Sequence, residues 1–170
     1  EAPPPPPGAR APAAPPRPRP TAHASVGLDP KIYTMGGLDD DGELLDTVEV
    51  YDPQADSWQR VASMPRGLCG HAAAAMGGKI YVTGGETDQV AWVNSVYVYD
   101  PQANAWTQLA SMGTARERHA SAAVGGKLYV FGGYGFGRLS TAEVYDPASD
   151  SWAPVTSLTS ARSYIAAVAL

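Results

Sequence analysis

The sequence has 170 residues, a formal net charge of −5 and 44% hydrophobic residues. This mild negative charge provides no basic surface for a phosphate backbone, so we expect no nucleic-acid partner. No apolar run reaches the roughly 18 residues that a membrane-spanning helix needs, and we expect no membrane association. Cys69 is the only cysteine and cannot form a disulfide within the chain, which favours a cytoplasmic location over the secreted alternative.

The first 21 residues differ in composition from the rest of the chain. Ten of the 16 prolines lie there, together with Ala and Arg and without any large apolar residue. Such a segment buries too little surface to fold, which predicts a disordered proline-rich tail or linker over residues 1–21. Residues 12–17 match a proline-rich ligand pattern, although so many prolines also produce that match by chance. Because the chain begins at Glu1 and not at Met, we expect a processed chain or a fragment of a longer protein.

From residue 22 onward the sequence repeats with a period of about 48 residues. Each period contains a glycine pair after a β-rich run, a Tyr-Asp-Pro motif, and a tryptophan seven residues after that tyrosine. The histidines follow the same spacing. The repeated positions are the glycine pairs at 36–37, 84–85 and 132–133, Trp58, Trp106 and Trp152, and His23, His71 and His119.

Within each period, four short segments of alternating or β-branched residues are separated by turn signals. In the second period they cover 71–76, 79–83, 95–99 and 105–109, and no helical periodicity of useful length occurs anywhere. Four strands in a repeat of this length are typical of a β-propeller blade. We therefore predict an all-β, incomplete propeller with four-stranded blades at about 22–62, 70–110 and 118–156, and the first strand of a fourth blade at 164–170.

These motifs resemble the kelch repeat over residues 22–170. The second unit departs from the pattern, since Leu68 stands where Arg116 and Arg162 stand later, and Arg66 is a candidate substitute. The resemblance implies a kelch-type propeller that acts as a protein-interaction scaffold and not as an enzyme. Such domains serve in substrate recognition by ubiquitin-ligase adaptors, which also need a BTB-type domain upstream, or in cytoskeletal binding. A carbohydrate-binding or sugar-active kelch-type propeller is the alternative.

Three groups of residues could indicate chemistry, and each has a simpler interpretation. The three histidines could form a metal site, but they occupy one equivalent position in separate blades. Cys69 near His71 could pair a nucleophile with a base, but nothing in the sequence would orient the histidine. The acidic run 39–43 lacks calcium-loop spacing and is interpreted as a solvated turn. We predict no catalytic residue, cofactor or metal.

Variable loops indicate where a protein partner would bind. In an up-and-down blade, the loops between second and third strands and the links between blades share one face. These loops cover 38–45, 86–94 and 134–140, and the links cover 65–70, 113–118 and 159–163. Aromatic side chains outside the repeat pattern lie there beside arginines, and such residue types dominate interfaces. The predicted partner-binding residues are Trp92, Tyr134, Phe136, Arg138, Arg116 and Arg118. If the propeller is incomplete, self-association is a further possibility.

Overall fold

A computed structural model describes residues 22–167 and contains three four-stranded antiparallel sheets, each formed by strands consecutive in sequence. No helix occurs in this range, and therefore none that could cross a membrane. The predicted tail at 1–21, with its 12–17 motif, lies outside the described residues. The strands are β1 Ala24–Leu28, β2 Lys31–Met35, β3 Val48–Asp52, β4 Ser57–Val61, β5 Ala72–Met76, β6 Lys79–Thr83, β7 Val96–Asp100, β8 Ala105–Leu109, β9 Ala120–Val124, β10 Lys127–Phe131, β11 Ala142–Asp146 and β12 Ser151–Val155.

The four strands of the second blade begin and end within one residue of the predicted bounds. Turn chemistry explains this agreement. Gly77 and Gly78, both with positive φ, connect β5 to β6, and the closing pair is Met76 with Lys79. A two-residue turn of this kind matches the twist of the flanking strands and fixes their register. The all-β blade architecture predicted from the repeats is confirmed.

The first strands of the three blades lie side by side, with β5 between β1 and β9. Their small side chains line a cavity of about 390 Å³ between the blades. Alanine is the most frequent residue of these three strands, so their side chains leave this space open. The cavity is lined by Ser25, Val26, Gly27, Ala73, Ala74, Ala75, Ser121, Ala122, Ala123 and Ala167.

Repeated tryptophans join each blade to the one before it. The indole Nε1 of Trp106 donates to the carbonyl oxygen of Ala62 at 2.9 Å. In return, the amide of Ala62 donates to Oδ1 of Asn104, also at 2.9 Å. These bonds satisfy the polar edge of a ring that packs on the first blade's core. The same two bonds recur at the next junction, from Trp152 to the oxygen of Ala110 and from the amide of Ala110 to Asp150.

Trp58 has the equivalent position in the first blade but no preceding blade among residues 22–167. Its side chain is 52% exposed, whereas Trp106 and Trp152 are half-buried. Ile32 is likewise 43% exposed, although Ile80 at the same repeat position is 0% exposed. Two of the three repeated tryptophans therefore have equivalent surroundings, and the first blade presents an uncovered face among the described residues.

The glycine pairs lie where the link to the following blade crosses the sheet. A Cβ built on Gly84, at φ +59°, would lie 2.8 Å from Cε1 of His119 and would also meet the carbonyl oxygen of Arg116. Gly36 has the same relationship to His71, at 2.7 Å. His71 and His119 thus each pack against the glycine pair of the preceding blade, which explains why the two features share one period.

The predicted strand at 164–170 is only partly within the described residues. Tyr164–Ala167 belong to no strand, and the described residues contain no second strand of a fourth blade with which they could pair. The amide of Tyr164 nevertheless donates to the carbonyl oxygen of Arg118 at 2.8 Å. The same bond joins Gly70 to Ala22 and Arg118 to Gly70, so residue 164 occupies the starting position of a further blade.

Candidate partner-binding surface

The second-to-third-strand loops and the inter-blade links lie on one face, as the strand alternation predicts. Isolated antiparallel bridges pair Cys69 with Glu86 and Glu117 with Tyr134. Each bridge joins a link to the long loop of the blade that follows it. These backbone contacts hold the loop bases in place, so the tips are displayed from a fixed frame.

Three side chains from two neighbouring loops form an aromatic cluster: Trp92, Tyr134 and Phe136. Trp92 meets both other rings edge-on, at centroid distances of 5.8 Å to Tyr134 and 5.3 Å to Phe136. Trp92 is half-buried, whereas Phe136 is fully exposed. Trp92 therefore does not simply fold back on its own blade. It supports a phenylalanine ring that no other part of the described chain covers.

A buried carboxylate anchors the aromatic cluster. Oε1 of Glu117 accepts a hydrogen bond from Nε1 of Trp92 at 3.4 Å, and Oε2 lies 3.2 Å from Nε of Arg118. Burial raises the pKa of Glu117, an effect opposed by Arg118 and by the Trp92 bond. The guanidinium of Arg118 also lies 4.6 Å above the ring of Tyr164. Arg118 thus connects the cluster to the link of the third blade.

Arg138 is exposed at the rim of the same surface. A cleft of about 380 Å³ opens beside it, between the 134–140 loop and the link at 113–115. Trp92 and Phe136 form part of the cleft wall, with Leu139 and three glycines. The lining is mostly apolar, with the side chain of Arg138 beside it. Whether these residues bind a partner stays a prediction.

The structure removes Arg116 from the predicted patch. Its side chain is 0% exposed and lies inside the junction between the second and third blades. Nη1 donates to the carbonyl oxygen of Gly132 at 2.7 Å, and Nη2 to Oε1 of Glu143 at 2.7 Å and to Oγ1 of Thr141 at 3.2 Å. The prediction that Arg116 contacts a partner was therefore wrong, because its side chain is buried and its hydrogen bonds join the second blade to the third.

The junction between the first and second blades has apolar residues at the positions of this ion pair. Leu68 replaces Arg116 there, and Tyr97 replaces Glu143, and both belong to one buried apolar cluster. Arg66 is exposed and does not substitute for the missing arginine. The two junctions therefore differ in chemistry while sharing one geometry.

Sequence reasoning missed Glu117, which the structure places at the centre of the surface. Two signals could have identified it. Trp92 lies outside the repeat pattern, and the N–H group of its indole needs a hydrogen-bond acceptor. Glu117 is a carboxylate between Arg116 and Arg118, and of these two arginines only Arg116 stands at a repeat position. A carboxylate between them was the available acceptor.

The residues considered for catalysis have environments that disfavour it. Burial, with Glu86 and Glu117 nearby, raises the pKa of the Cys69 thiol to about 11, so it remains protonated near neutral pH. Burial lowers the pKa of His71 to about 4 and that of His119 to about 3. His23 is exposed, and no group of three metal-ligating side chains occurs within residues 22–167. The acidic run begins with a turn in which Oδ1 of Asp39 accepts from the amides of Asp41 and Glu43.

Repeated four-stranded sheets, shared junctions and a face of long loops define a repeat protein of the β-propeller class. The KLHDC2/KLHL20/DRC7 Kelch-repeats domain matches residues 9–169, and the chain belongs to this Kelch-repeat family. Membership supports a general role as a protein–protein interaction scaffold.

Two proteins of Limulus polyphemus are similar to part of the chain. Alpha-scruin is 42% identical over 50 residues, which cover 29% of this chain and 5% of the relative. Beta-scruin is 39% identical over 54 residues, which cover 30% of this chain and 6% of the relative. The matched segments are thus about one repeat long and a small fraction of either relative.

Proposed function

We propose that the protein binds a partner protein through the aromatic cluster, with Arg138 and Arg118 beside it. The observation that carries this proposal is the fully exposed ring of Phe136, whose centroid lies 5.3 Å from that of Trp92 in an edge-on contact. Trp92 is half-buried and hydrogen-bonded to Glu117, so the ring beside Phe136 is already ordered before a partner binds and loses little further conformational entropy. Rigid aromatic residues and arginines are the residue types that contribute most to interface free energy.

Binding without catalysis fits the chemistry of the same face. The thiol of Cys69 is protonated at neutral pH, and the buried histidines remain neutral. A nucleophile needs an accessible thiolate or an adjacent base, and Cys69 faces the carboxylate of Glu86 at 3.9 Å instead. The proposed role is therefore recognition, in a reducing cytoplasm where a single buried thiol needs no partner.

Affinity capture with matched variants tests this proposal. Proteins retained by the 170-residue chain should be lost with Trp92→Ala and with Phe136→Ala. Val124→Ala is the control, because Val124 is 59% exposed at the turn between β9 and β10, away from the loop face. A set of captured proteins that all three variants retain equally would contradict the proposed surface.

Two kinds of partner follow from the family, a substrate of a ubiquitin-ligase adaptor or a cytoskeletal filament. Co-sedimentation with purified actin filaments and with microtubules distinguishes them. Pelleting that Phe136→Ala abolishes would favour a filament partner. Absence of pelleting, with capture of discrete proteins that depends on Phe136, would favour adaptor-type recognition.

Carbohydrate binding is the second candidate. The cleft beside Phe136 combines an exposed ring with the guanidinium of Arg138, and a sugar could stack on the former and bond to the latter. Titration with neutral and acidic oligosaccharides, followed by tryptophan fluorescence, tests this candidate. A saturable change that is absent in Arg138→Ala would favour it over a protein partner.

A further inference from the structure

Charge is distributed unevenly over the loop face. The loops at 38–45 and 86–94 contain six carboxylates and no lysine or arginine, whereas the loop at 134–140 contains Arg138 and no carboxylate. Within residues 22–167, none of these six carboxylates takes part in an ion pair. The opposite face differs, because each blade there pairs an aspartate with a lysine. These pairs are Lys31–Asp52, Lys79–Asp100 and Lys127–Asp146, at 3.3, 2.9 and 3.1 Å.

Three of the six carboxylates line one cleft of about 370 Å³ between the first and second blades. We call it the acidic cleft. Glu43 lines it from the loop of the first blade, and Glu86 and Asp88 line it from the loop of the second. Arg118 is the only cation among the described lining residues, and it is already paired with Glu117. The acidic cleft therefore has an excess of negative charge, which favours a cationic ligand.

A buried carboxylate behind the wall of the acidic cleft adds to this charge. Glu117 is 4% exposed, and its Oε2 accepts no hydrogen bond from the described residues. Nε of Arg118 lies 3.2 Å from this oxygen as an ion pair but does not donate to it. Gly70 lines the cleft beside it, and a Cβ built on Gly70 would lie 3.1 Å from Oε2. Because glycine places no side chain between them, an oxygen that lacks a donor faces the cleft.

The 86–94 loop separates the acidic cleft from the aromatic cluster. Glu86 and Asp88 near its start line the acidic cleft, and Trp92 near its end lines the cleft on the other side. Val90 lies between them in sequence and is 51% exposed. The amide of Thr87 donates to the carbonyl oxygen of Val90 at 3.0 Å, which fixes the turn. The loop therefore displays carboxylates, an aliphatic side chain and an aromatic ring in one ordered arrangement.

We propose that the partner binds through a segment in which a lysine or arginine lies a few residues from an apolar side chain. The cation enters the acidic cleft, and the apolar side chain packs on Phe136 and Trp92 across the 86–94 loop. The inference rests on the proposed function, to which it adds the chemical class of the partner. The reverse orientation is disfavoured, since it would place the cation beside Arg138. An acidic segment would meet the carboxylates of two loops.

The two halves of the surface have different roles in binding. Apolar contact with the exposed ring of Phe136 supplies most of the affinity, because buried aromatic side chains dominate interface free energy. Ion pairs at an exposed cleft contribute little affinity each and act mainly on partner choice. Loss of Phe136 should therefore weaken every peptide that binds this surface. Loss of the carboxylates should remove only the preference for a cation.

Selection of peptides on the immobilised 170-residue chain tests the partner class. A phage-displayed library of random peptides is the probe. Sequences retained by the wild type should combine lysine or arginine with an apolar residue. Selection on Glu86→Gln/Asp88→Asn should retain the apolar residue and lose the enrichment in basic residues. Enrichment in aspartate or glutamate on the wild type would overturn the inference.

Fluorescence anisotropy with a selected peptide measures the preference. Its basic residue is compared with glutamine at the same position, in end-blocked peptides so that only the side chain differs in charge. Asp29→Asn/Asp56→Asn is the matched control, because both aspartates are exposed on turns of the opposite face. The basic peptide should bind the wild type and this control about fivefold tighter than the glutamine peptide. The ratio should approach one in Glu86→Gln/Asp88→Asn and should shrink in about 0.5 M salt.

The outcomes separate this inference from the proposed function. Binding that Phe136→Ala weakens, without any preference for the basic peptide, would leave the proposed function standing and overturn the inference. A preference that the control lowers as much as the cleft variant would also overturn it, since the net charge alone would then be responsible. If Phe136→Ala retained the same peptides as the wild type, the proposed surface itself would be wrong.

Discussion

The guanidinium of Arg116 and the carboxylate of Glu143 form an ion pair of 2.7 Å inside the junction of the second and third blades, with the arginine side chain 0% exposed. Removal of the arginine would leave a buried carboxylate whose charge only two backbone amides oppose. We expect Arg116→Leu to lower the free energy of unfolding by about 3–5 kcal/mol, as breaking a buried pair does. Urea denaturation followed by tryptophan fluorescence measures the change.

The apolar junction supplies the compensating variant. Combining Arg116→Leu with Glu143→Tyr and Gly113→Pro copies Leu68, Tyr97 and Pro65 into the second junction. Because no charge and no unpaired donor then remain, the triple variant should regain most of the lost stability. A triple variant less stable than Arg116→Leu alone would show that the two junctions differ in geometry as well as in chemistry.

Tryptophans at one repeat position should contribute differently to the free energy of unfolding. Trp106→Ala loses the bond to Ala62 and the packing on the first blade, and we expect a cost of about 3 kcal/mol. Trp58→Ala loses mainly its contact with Tyr51, at a centroid distance of 5.1 Å, and should cost about 1 kcal/mol. Urea denaturation of the two variants measures both costs. Equal costs would contradict the assignment of Trp106 as a junction residue.

Two glycines with the same backbone conformation provide a test of the close approach. Gly77 and Gly84 both have φ +59°, but a Cβ on Gly77 meets nothing within 4 Å. Gly77→Ala should cost only the conformational penalty, about 1–2 kcal/mol. Gly84→Ala adds a collision with the following link and should cost more than about 3 kcal/mol. Thermal unfolding of the two variants separates the steric part from the conformational part.

Acid should weaken the fold through the buried histidines before it affects most carboxylates. An unfolded histidine binds a proton below about pH 6.5, whereas folded His71 and His119 stay neutral until about pH 4 and about pH 3. Their contribution to stability is therefore complete above pH 6.5 and declines as the pH falls below it, by about 1.4 kcal/mol per pH unit for each histidine well below that value.

Unfolding free energies between pH 5 and 7 check this expectation. His119→Gln keeps a side chain that can bond to Thr83, which lies 2.8 Å from Nε2 of His119, but it cannot titrate. Its stability should decline about half as steeply with acid as that of the wild type. An unchanged slope would mean that His119 is not protonated differently in the two states.

The strands were predictable because each turn carries its own chemistry, as Gly77 and Gly78 show. The cluster of Trp92, Tyr134 and Phe136 was predictable in part, because residues that break a repeat are not required by it. Arg116 was misassigned although Arg162 occupies the same repeat position, a signal that the position serves the junctions. The difference between the two junctions could not be foreseen, since it depends on Leu68 and Tyr97, which lie 29 positions apart and meet only in the fold.

The two junction chemistries also determine the order in which near-identical units assemble. While the chain is still partly unfolded, Leu68 on the first link could meet the third blade instead of the second. It would then confront the carboxylate of Glu143 with no cation, and Arg116 would meet Tyr97 with no anion. A misordered arrangement therefore leaves two buried charges unpaired, one at each wrong junction. The difference between the junctions thus favours the correct order of blades, although the repeated units are otherwise similar.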